Sequence, residues 1–288
     1  MATQSTPFHA PRAHPAQEHP PEGKYTEPAH HDDSPYWFGG TTPPTIRMVS
    51  ADDTTRWLVR GWHDLLAAPT VSLTYGAIFV IAAYVIVFGL GQIGMTSLIL
   101  PLMAGFMLIG PLAAVGLYEV SRLHALRQPV SVGAALSAFT RYSGQLLVIG
   151  LALMLMLMLW VVTAMYIFAI FYTGAPPAME TFVSDLVLAP QAPLFLLVGT
   201  AAGGVLAAIV FAISAVSLPM IVDRNVSPVH AMATSVMAVR QNWKVMIGWA
   251  AMIVLITMAG MVTFFVGLAL ALPLVGHASW HAYRGMVE

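Results

Sequence analysis

The ionisable side chains in the apolar part of this chain are few, and their spacing limits the chemistry they could carry. His277 and His281 stand four apart, so they share one face of a helix. Such a pair could ligate a metal or haem, but haem in a helical bundle usually takes its ligands from opposing helices. No second histidine lies within another apolar stretch. The alternative is an interfacial His281 and a His277 hydrogen-bonded to a neighbouring helix. Glu119 and Arg122 stand three apart at the end of one apolar stretch, and Asp223-Arg224 closes another. Together Tyr118, Glu119, Arg122, Asp223, Arg224, His277 and His281 make a candidate polar cluster at the mouth of a bundle. The plainer reading is snorkelling side chains and local ion pairs. The absence of cysteine removes disulfides, thiolate metal sites, iron–sulfur clusters and c-type haem attachment. The expectation is no catalytic constellation, no cofactor and no metal site, hence a protein that is not an enzyme.

These residues must be positioned by elements of an unusual composition. The chain is 58% hydrophobic and 9% charged, with a mean hydropathy of +0.77. An ordinary soluble domain carries about 25% charged residues, so a water-soluble fold is excluded. The net charge of −1 gives no reason to expect nucleic acid. Apolar stretches of bilayer length, about 20 residues each, fall at 71–90, 96–118, 146–171, 194–222, 245–261 and 264–283. The first, third, fourth and fifth hold no Asp, Glu, Lys, Arg or His. Ionisable groups inside a membrane mark function by default. Their scarcity argues against a proton relay, a carboxylate-coupled transporter and an intramembrane aspartyl or zinc protease.

Beyond residue 70 the bases are Arg122, Arg127, Arg141, Arg224, Arg240, Lys244 and Arg284. They fall between stretches two and three, between four and five, and after the last. Cytoplasmic loops are enriched in Lys and Arg, so the N-terminus and these loops are placed in the cytoplasm. The uncharged run 245–283 also admits five spans, which would put the C-terminus outside. A weak internal repeat favours six. Pro111, Tyr118 and Arg122 recur in register as Pro273, Trp280 and Arg284. The predicted fold is all-α: a polytopic transmembrane bundle of six spans in three hairpins, each preceded by an amphipathic interfacial helix.

In the first interfacial helix Asp53 is the expected N-cap. Trp57, Leu58, Gly61, Trp62, Leu65 and Leu66 form its apolar face, with Arg56, Arg60, His63 and Asp64 opposite. The second runs 131–141, with Val132, Ala135, Leu136 and Phe139 apolar. The third opens at Ser227-Pro228, with Val229, Met232, Val236 and Met237 on one side and His230, Thr234, Ser235 and Arg240 away from it.

Residues 1–46 are proline-rich, hold His9, His14, His19, His30 and His31, and lack an apolar run. They are read as a disordered cytoplasmic tail with a Tyr36-Trp37-Phe38 patch, preceding a transmembrane domain over 47–288. With no signal-peptide core in that tail, the first span is expected to act as the insertion signal. The 172–193 connection carries an expected short outer helix through Met179, Phe182, Val183 and Leu186. Gly199 and Gly203 form a GxxxG element for helix packing, within the chain or in a homo-oligomer. The methionines between Met154 and Met158 alternate in sequence, so they form no ligand column and are read as lipid-facing or gap-filling.

Several segments resemble a known family. They are Trp57-Leu58 with Gly61-Trp62 and Asp64-Leu65; Ser72-Leu73 with Tyr75-Gly76; Gly110-Pro111 through Tyr118-Glu119 to Ser121-Arg122; Ser217 and Pro219 with Asp223-Arg224; and Pro273, Gly276-His277, Trp280-His281 and Tyr283-Arg284. With these the chain is similar to the bacterial integral-membrane proteins of domain of unknown function 2189. The resemblance implies a multi-pass protein of the bacterial inner membrane. Some members carry a cytochrome c oxidase subunit I label. A haem–copper subunit needs histidines on several helices, and this chain lacks them, so the label suggests only an association with respiratory membrane proteins. The resulting expectation is an accessory or scaffold component in the lipid bilayer. The rival is a small-solute transporter or channel with a cavity lined by Tyr118, Ser214, Ser217 and His277.

Overall fold

Serine, proline and asparagine set the helix boundaries. In a computed structural model that describes residues 44–95, 99–172 and 188–288, α1 (Ala51–Ala67) starts after Ser50. The Ser50 N–H donates to the Asp53 carboxylate at 2.8 Å. Asp53 is thus not the N-cap that the sequence suggests but the third helical residue, reaching back to the cap. Pro69 opens α2 (Pro69–Gln92), where its missing N–H costs nothing. The next rod has two segments, α3 (Ile99–Ala113) and α4 (Val115–Ala125). Ser131 caps α5 (Val132–Arg141) by accepting the Ala134 N–H, and α6 (Ser143–Phe171) follows. Another two-segment rod comprises α7 (Ala192–Ser214) and α8 (Ser217–Arg224). Ser227 caps α9 (Pro228–Gln241) with proline at its first position, as the sequence predicts. The chain ends with α10 (Trp243–Val262) and α11 (Leu268–Met286), the latter containing Pro273.

The described residues are all-helical apart from one isolated bridge, Ile46 to Val287. Four helices are long and apolar enough to cross a bilayer: Pro69–Gln92, Ser143–Phe171, Ala192–Arg224 and Trp243–Val262. Their outward residues, such as Val85, Leu151, Met154, Met158 and Leu255, are exposed hydrophobics, as expected where the surrounding solvent is hydrocarbon.

Within a bilayer every freed backbone group needs a partner, and the broken rods are supplied by neighbouring elements. At the α3–α4 break the Tyr75 hydroxyl of α2 donates to the Ala113 carbonyl at 2.7 Å and accepts the Gly116 N–H at 3.2 Å. At the α7–α8 break Ser235 Oγ of α9 accepts the Val216 N–H at 3.1 Å. This reverses the face assigned to α9. Thr234 and Ser235 are fully buried, with Ala231 and Ala238, while Val229, Val236 and Met237 are exposed. Small residues permit close helix approach and their hydroxyls find backbone partners, so in this setting the small polar face is the inner one. Likewise α1 buries Thr54, Trp57, Gly61 and Leu65 but leaves Trp62 and Leu66 outside.

One burial register recurs three times. Ala68, Tyr142 and Asn242 each join a short helix to a long one. The buried residues Ser72, Leu146 and Met246 follow four positions later, and Tyr75, Ile149 and Trp249 follow after seven. The interfacial helices are packed in a cycle with the rods before them: α4 on α5, α8 on α9, and α11 back on α1. The last contact is the closest. A Cβ on Gly61 would lie 2.6 Å from the Ala278 backbone nitrogen. Trp57 of α1 meets Trp249 of α10 edge to face, with centroids 5.5 Å apart.

The two ends of the described body are tied together at the end that carries the arginines. Arg47 N–H donates to Met286 O at 2.8 Å, and Glu288 N–H to Thr45 O at 3.1 Å. Asn242 bridges in both senses, accepting from Val49 N–H at 2.9 Å and donating to Arg47 O at 3.0 Å. Arg47 pairs with Glu288, and Arg224 donates to the carbonyls of Glu288 and Val287 at 2.7 and 3.3 Å. Thus Thr45 and Ile46, assigned to the tail by sequence, are ordered here. The tail histidines, the 36–38 patch and the helix expected through 179–186 lie outside the described residues.

Candidate functional site

The seven polar residues singled out by sequence do not form one cluster. Glu119, 1% exposed, accepts both Arg122 nitrogens at 2.8 Å and Arg141 of α5 at 2.8 Å. Asp223 accepts the Tyr283 hydroxyl at 2.7 Å and Arg284 at 2.8 Å, and Arg224 donates to the same tyrosine oxygen at 2.9 Å. These two groups fasten α4 to α5 and α8 to α11. They use their charges on each other and present none to a ligand.

His277 and His281 belong to a third group, centred on Asp64. The sequence places Asp64 on the polar face of α1, names Ser72 and Ser121 only within the segments that carry the family resemblance, and gives no role to His124. The available signal was Asp64 standing beside Leu65, on the border of the buried face. Asp64 Oδ2 accepts Ser121 Oγ–H at 2.6 Å and lies 2.9 Å from His281 Nε2. The Ser121 hydroxyl points its hydrogen at Asp64, so His277 Nδ1, 2.8 Å away, donates to its oxygen. His277 Nε2 then accepts from Ser72 Oγ at 3.0 Å. Both ring nitrogens of this fully buried histidine are engaged, which leaves no lone pair for haem or metal. Among the described residues no three His, Asp or Glu side chains could hold a metal ion. His124 Nδ1 is 3.6 Å from Asp64 Oδ1, too far for a hydrogen bond but within reach of its charge. Burial by itself pushes the Asp64 carboxyl up. The polar groups of His124, His281 and Ser121 outweigh that and hold it below the usual carboxylate range. The arrangement locks α1, α4 and α11 together.

The cavity lies elsewhere. In two of the three repeats the long helix rests on the preceding rod: α2 on α11, and α6 on α3. Between α10 and α7 there is instead an apolar cavity of about 1240 Å³. Gly199, Gly203 and Ala207 line it from α7, and Trp249, Ile253 and Thr257 from α10, with Tyr118, Trp160 and Ser279 contributed by other helices. The GxxxG pair therefore opens space instead of joining two backbones. A Cβ at Gly199 would meet nothing within 4 Å, and one at Gly203 would meet only the Trp160 ring, at 3.0 Å. Met165, Leu196, Ile247, Val254 and Met258 form an exposed apolar rim, so the cavity opens sideways. Of the four residues expected to line a cavity, Tyr118 and Ser214 do so. Ser217 bonds back across the break to the Ile213 carbonyl of α7, and His277 is held in the Asp64 group.

Four helices of bilayer length set the class of the molecule. Residues 99–223 match the family model of domain of unknown function 2189, described as a predicted integral membrane protein. The match runs from α3 to the end of α8 and so takes in Glu119, both broken rods and the α7 wall of the cavity. No curated protein and no solved structure matches the chain. The protein is an integral membrane protein.

Proposed function

We propose that this protein crosses the bacterial inner membrane six times and holds a lipophilic molecule taken sideways from the bilayer. The observation that carries the binding role is the cavity between α7 and α10, apolar, rimmed by exposed hydrophobics and built on small residues. Binding sites are typically concave and mostly apolar, with a few placed polar groups. Tyr118, Trp249 and Ser279, all buried, bring polar groups to the cavity wall, while its rim is exposed and apolar. An opening toward the apolar side favours holding over passage. No group at its wall is arranged for bond making, so the role is non-catalytic: an accessory that stores or presents its ligand. The oxidase label carried by some relatives would make a respiratory complex the recipient.

Six spans in three hairpins are supported by parity. Residues 44–49 and 286–288 are hydrogen-bonded to one another, so the chain enters and leaves the body on one side and crosses an even number of times. Four helices qualify by length and composition alone. The α3–α4 rod and α11 supply the other two, and the enrichment of arginine at the tied end makes that end cytoplasmic.

Mass spectrometry of small molecules extracted from protein purified in mild detergent tests the binding role. The wild type is expected to retain a lipid-sized compound. The double variant Gly199→Leu, Ala207→Leu, which fills the cavity, is expected to lose it while keeping its unfolding midpoint. Equal retention by both, or none by either, would sink the reading.

A further inference from the structure

The polar groups of the cavity wall are sorted in a way that its apolar character does not require. Among the described residues, buried hydroxyls away from the cavity are bonded: Ser72 and Ser121 to His277, Thr234 to His230 O at 2.9 Å, and Ser235 to Val216 N–H; on the wall itself Ser214 bonds Val210 O at 2.7 Å. The hydroxyls of Tyr118, Thr257 and Ser279 and the indole N–H of Trp249 line the cavity and take no hydrogen-bond partner among the described residues. Each of these residues is more than nine-tenths buried. Unpaired polar groups in an apolar site are costly to leave unmade, and a ligand that reaches them is favoured over plain hydrocarbon.

The wall also lacks charge. Among the described residues no Asp, Glu, Lys, Arg or His lines the cavity. Four arginines at the end of the bundle are engaged, Arg122 and Arg141 on Glu119, Arg284 on Asp223, and Arg224 on the C-terminal carbonyls, and Lys244 stands over the Trp243 ring, 5.6 Å from its centroid. An ionised phosphate or carboxylate drawn in as deep as Tyr118 and Ser279 would lose its hydration and meet no cation on the described wall, a cost of several kcal/mol. Resting on the binding role argued above, we propose that the occupant is a neutral amphiphile, an uncharged hydroxyl- or ester-bearing head on long apolar chains, of the diacylglycerol class. Its head sits at Tyr118, Trp249 and Ser279. Its chains run past Trp160 and Phe195 toward the exposed rim. Thr257 is eight residues beyond Trp249 on α10, about 12 Å along the helix, and meets a second polar group partway up the ligand. The cavity, at about 1240 Å³, exceeds the roughly 300–1,000 Å³ of drug-sized sites and suits a lipid.

The test uses the full-length protein in phosphatidylcholine nanodiscs. Two probes with identical brominated chains are titrated in, diacylglycerol and phosphatidylglycerol, and tryptophan emission is read, since Trp160 and Trp249 line the cavity. Saturable quenching by the diacylglycerol, with quenching by phosphatidylglycerol that rises only in proportion to its content in the bilayer, is expected. Tyr118→Phe with Ser279→Ala should weaken the saturable phase about tenfold, as loss of two hydrogen bonds predicts. Saturable quenching by phosphatidylglycerol at equal or lower concentration would overturn the neutral head while leaving the binding role standing. Saturation by neither probe would overturn both. An unchanged midpoint in the double variant would overturn the assignment of the head to Tyr118 and Ser279.

Discussion

Asp64 gains its partners only on folding. Its carboxylate receives Ser121 and His281 at 2.6 and 2.9 Å and is held below its ordinary value in the folded protein. The unfolded chain therefore binds the extra proton at acid pH, and stability rises with pH through that range. The contribution is complete above the ordinary carboxylate value, about 3.9, and is lost as pH falls below it. Thermal midpoints of wild type and Asp64→Asn should differ most above about pH 5, and the difference should shrink progressively as pH falls below about 4, vanishing only well under about pH 3. A difference that did not shrink between about pH 4 and 2 would contradict this account. Glu119 belongs to the same scale but answers differently. It is 1% exposed and paired to two arginines, of which Arg141 is half exposed. Breaking a fully buried pair costs about 3–5 kcal/mol. Because Arg141 can turn to solvent, Glu119→Gln should cost less, about 2 kcal/mol, read as a lowered midpoint in detergent.

At the scale of elements, close approach and backbone repair dominate. Gly61 lets α1 lie against α11, since a Cβ there would stand 2.6 Å from a backbone nitrogen that cannot move aside. Gly61→Ala should cost about 1–3 kcal/mol, as overpacking does. Gly89, on the exposed side of α2, would meet nothing within 4 Å. Gly89→Ala should be neutral or stabilising by up to about 1 kcal/mol, from helix propensity alone. Equal effects of the two substitutions on the unfolding midpoint would refute the packing argument. The breaks in the two rods make a second case. Tyr75→Phe strips the partner from Ala113 O and Gly116 N–H together, and a buried group left unpaired costs about 1–3 kcal/mol. It should therefore destabilise more than Ser235→Ala, which frees only Val216 N–H.

For the whole molecule the decisive feature is the tie between residues 44–49 and 286–288. A fluorescent protein fused through a flexible linker at Glu288 should be bright, and alkaline phosphatase at the same place inactive, as a cytoplasmic C-terminus requires. Active phosphatase would put both tied ends outside and overturn the cytoplasmic orientation proposed for that end. The α7–α10 gap belongs to this scale too. Two of three equivalent helix contacts are closed and the third is a cavity, so the departure from threefold likeness, not the likeness itself, is what provides room for a ligand.

Sequence alone determined the solvent. Apolar stretches of bilayer length with so few charges have no other stable environment, and the helices follow because each hydrocarbon-facing backbone group must bond within its own segment. A helix cap that depends on neighbours three residues apart was legible too, at Ser227. Tertiary structure decided which faces turned inward. In a bilayer both sides of a helix are apolar, so amphipathicity cannot point to the core, and the small hydroxyl face of α9 was misread for that reason. It also decided the polar groupings. Asp64 lies 217 positions from its partner His281, and Tyr283 lies 60 from Asp223. No spacing rule reaches that far. The cavity was the least legible of all, because a GxxxG stripe looks the same whether another helix fills it or, as at Gly199 here, none of the described residues does.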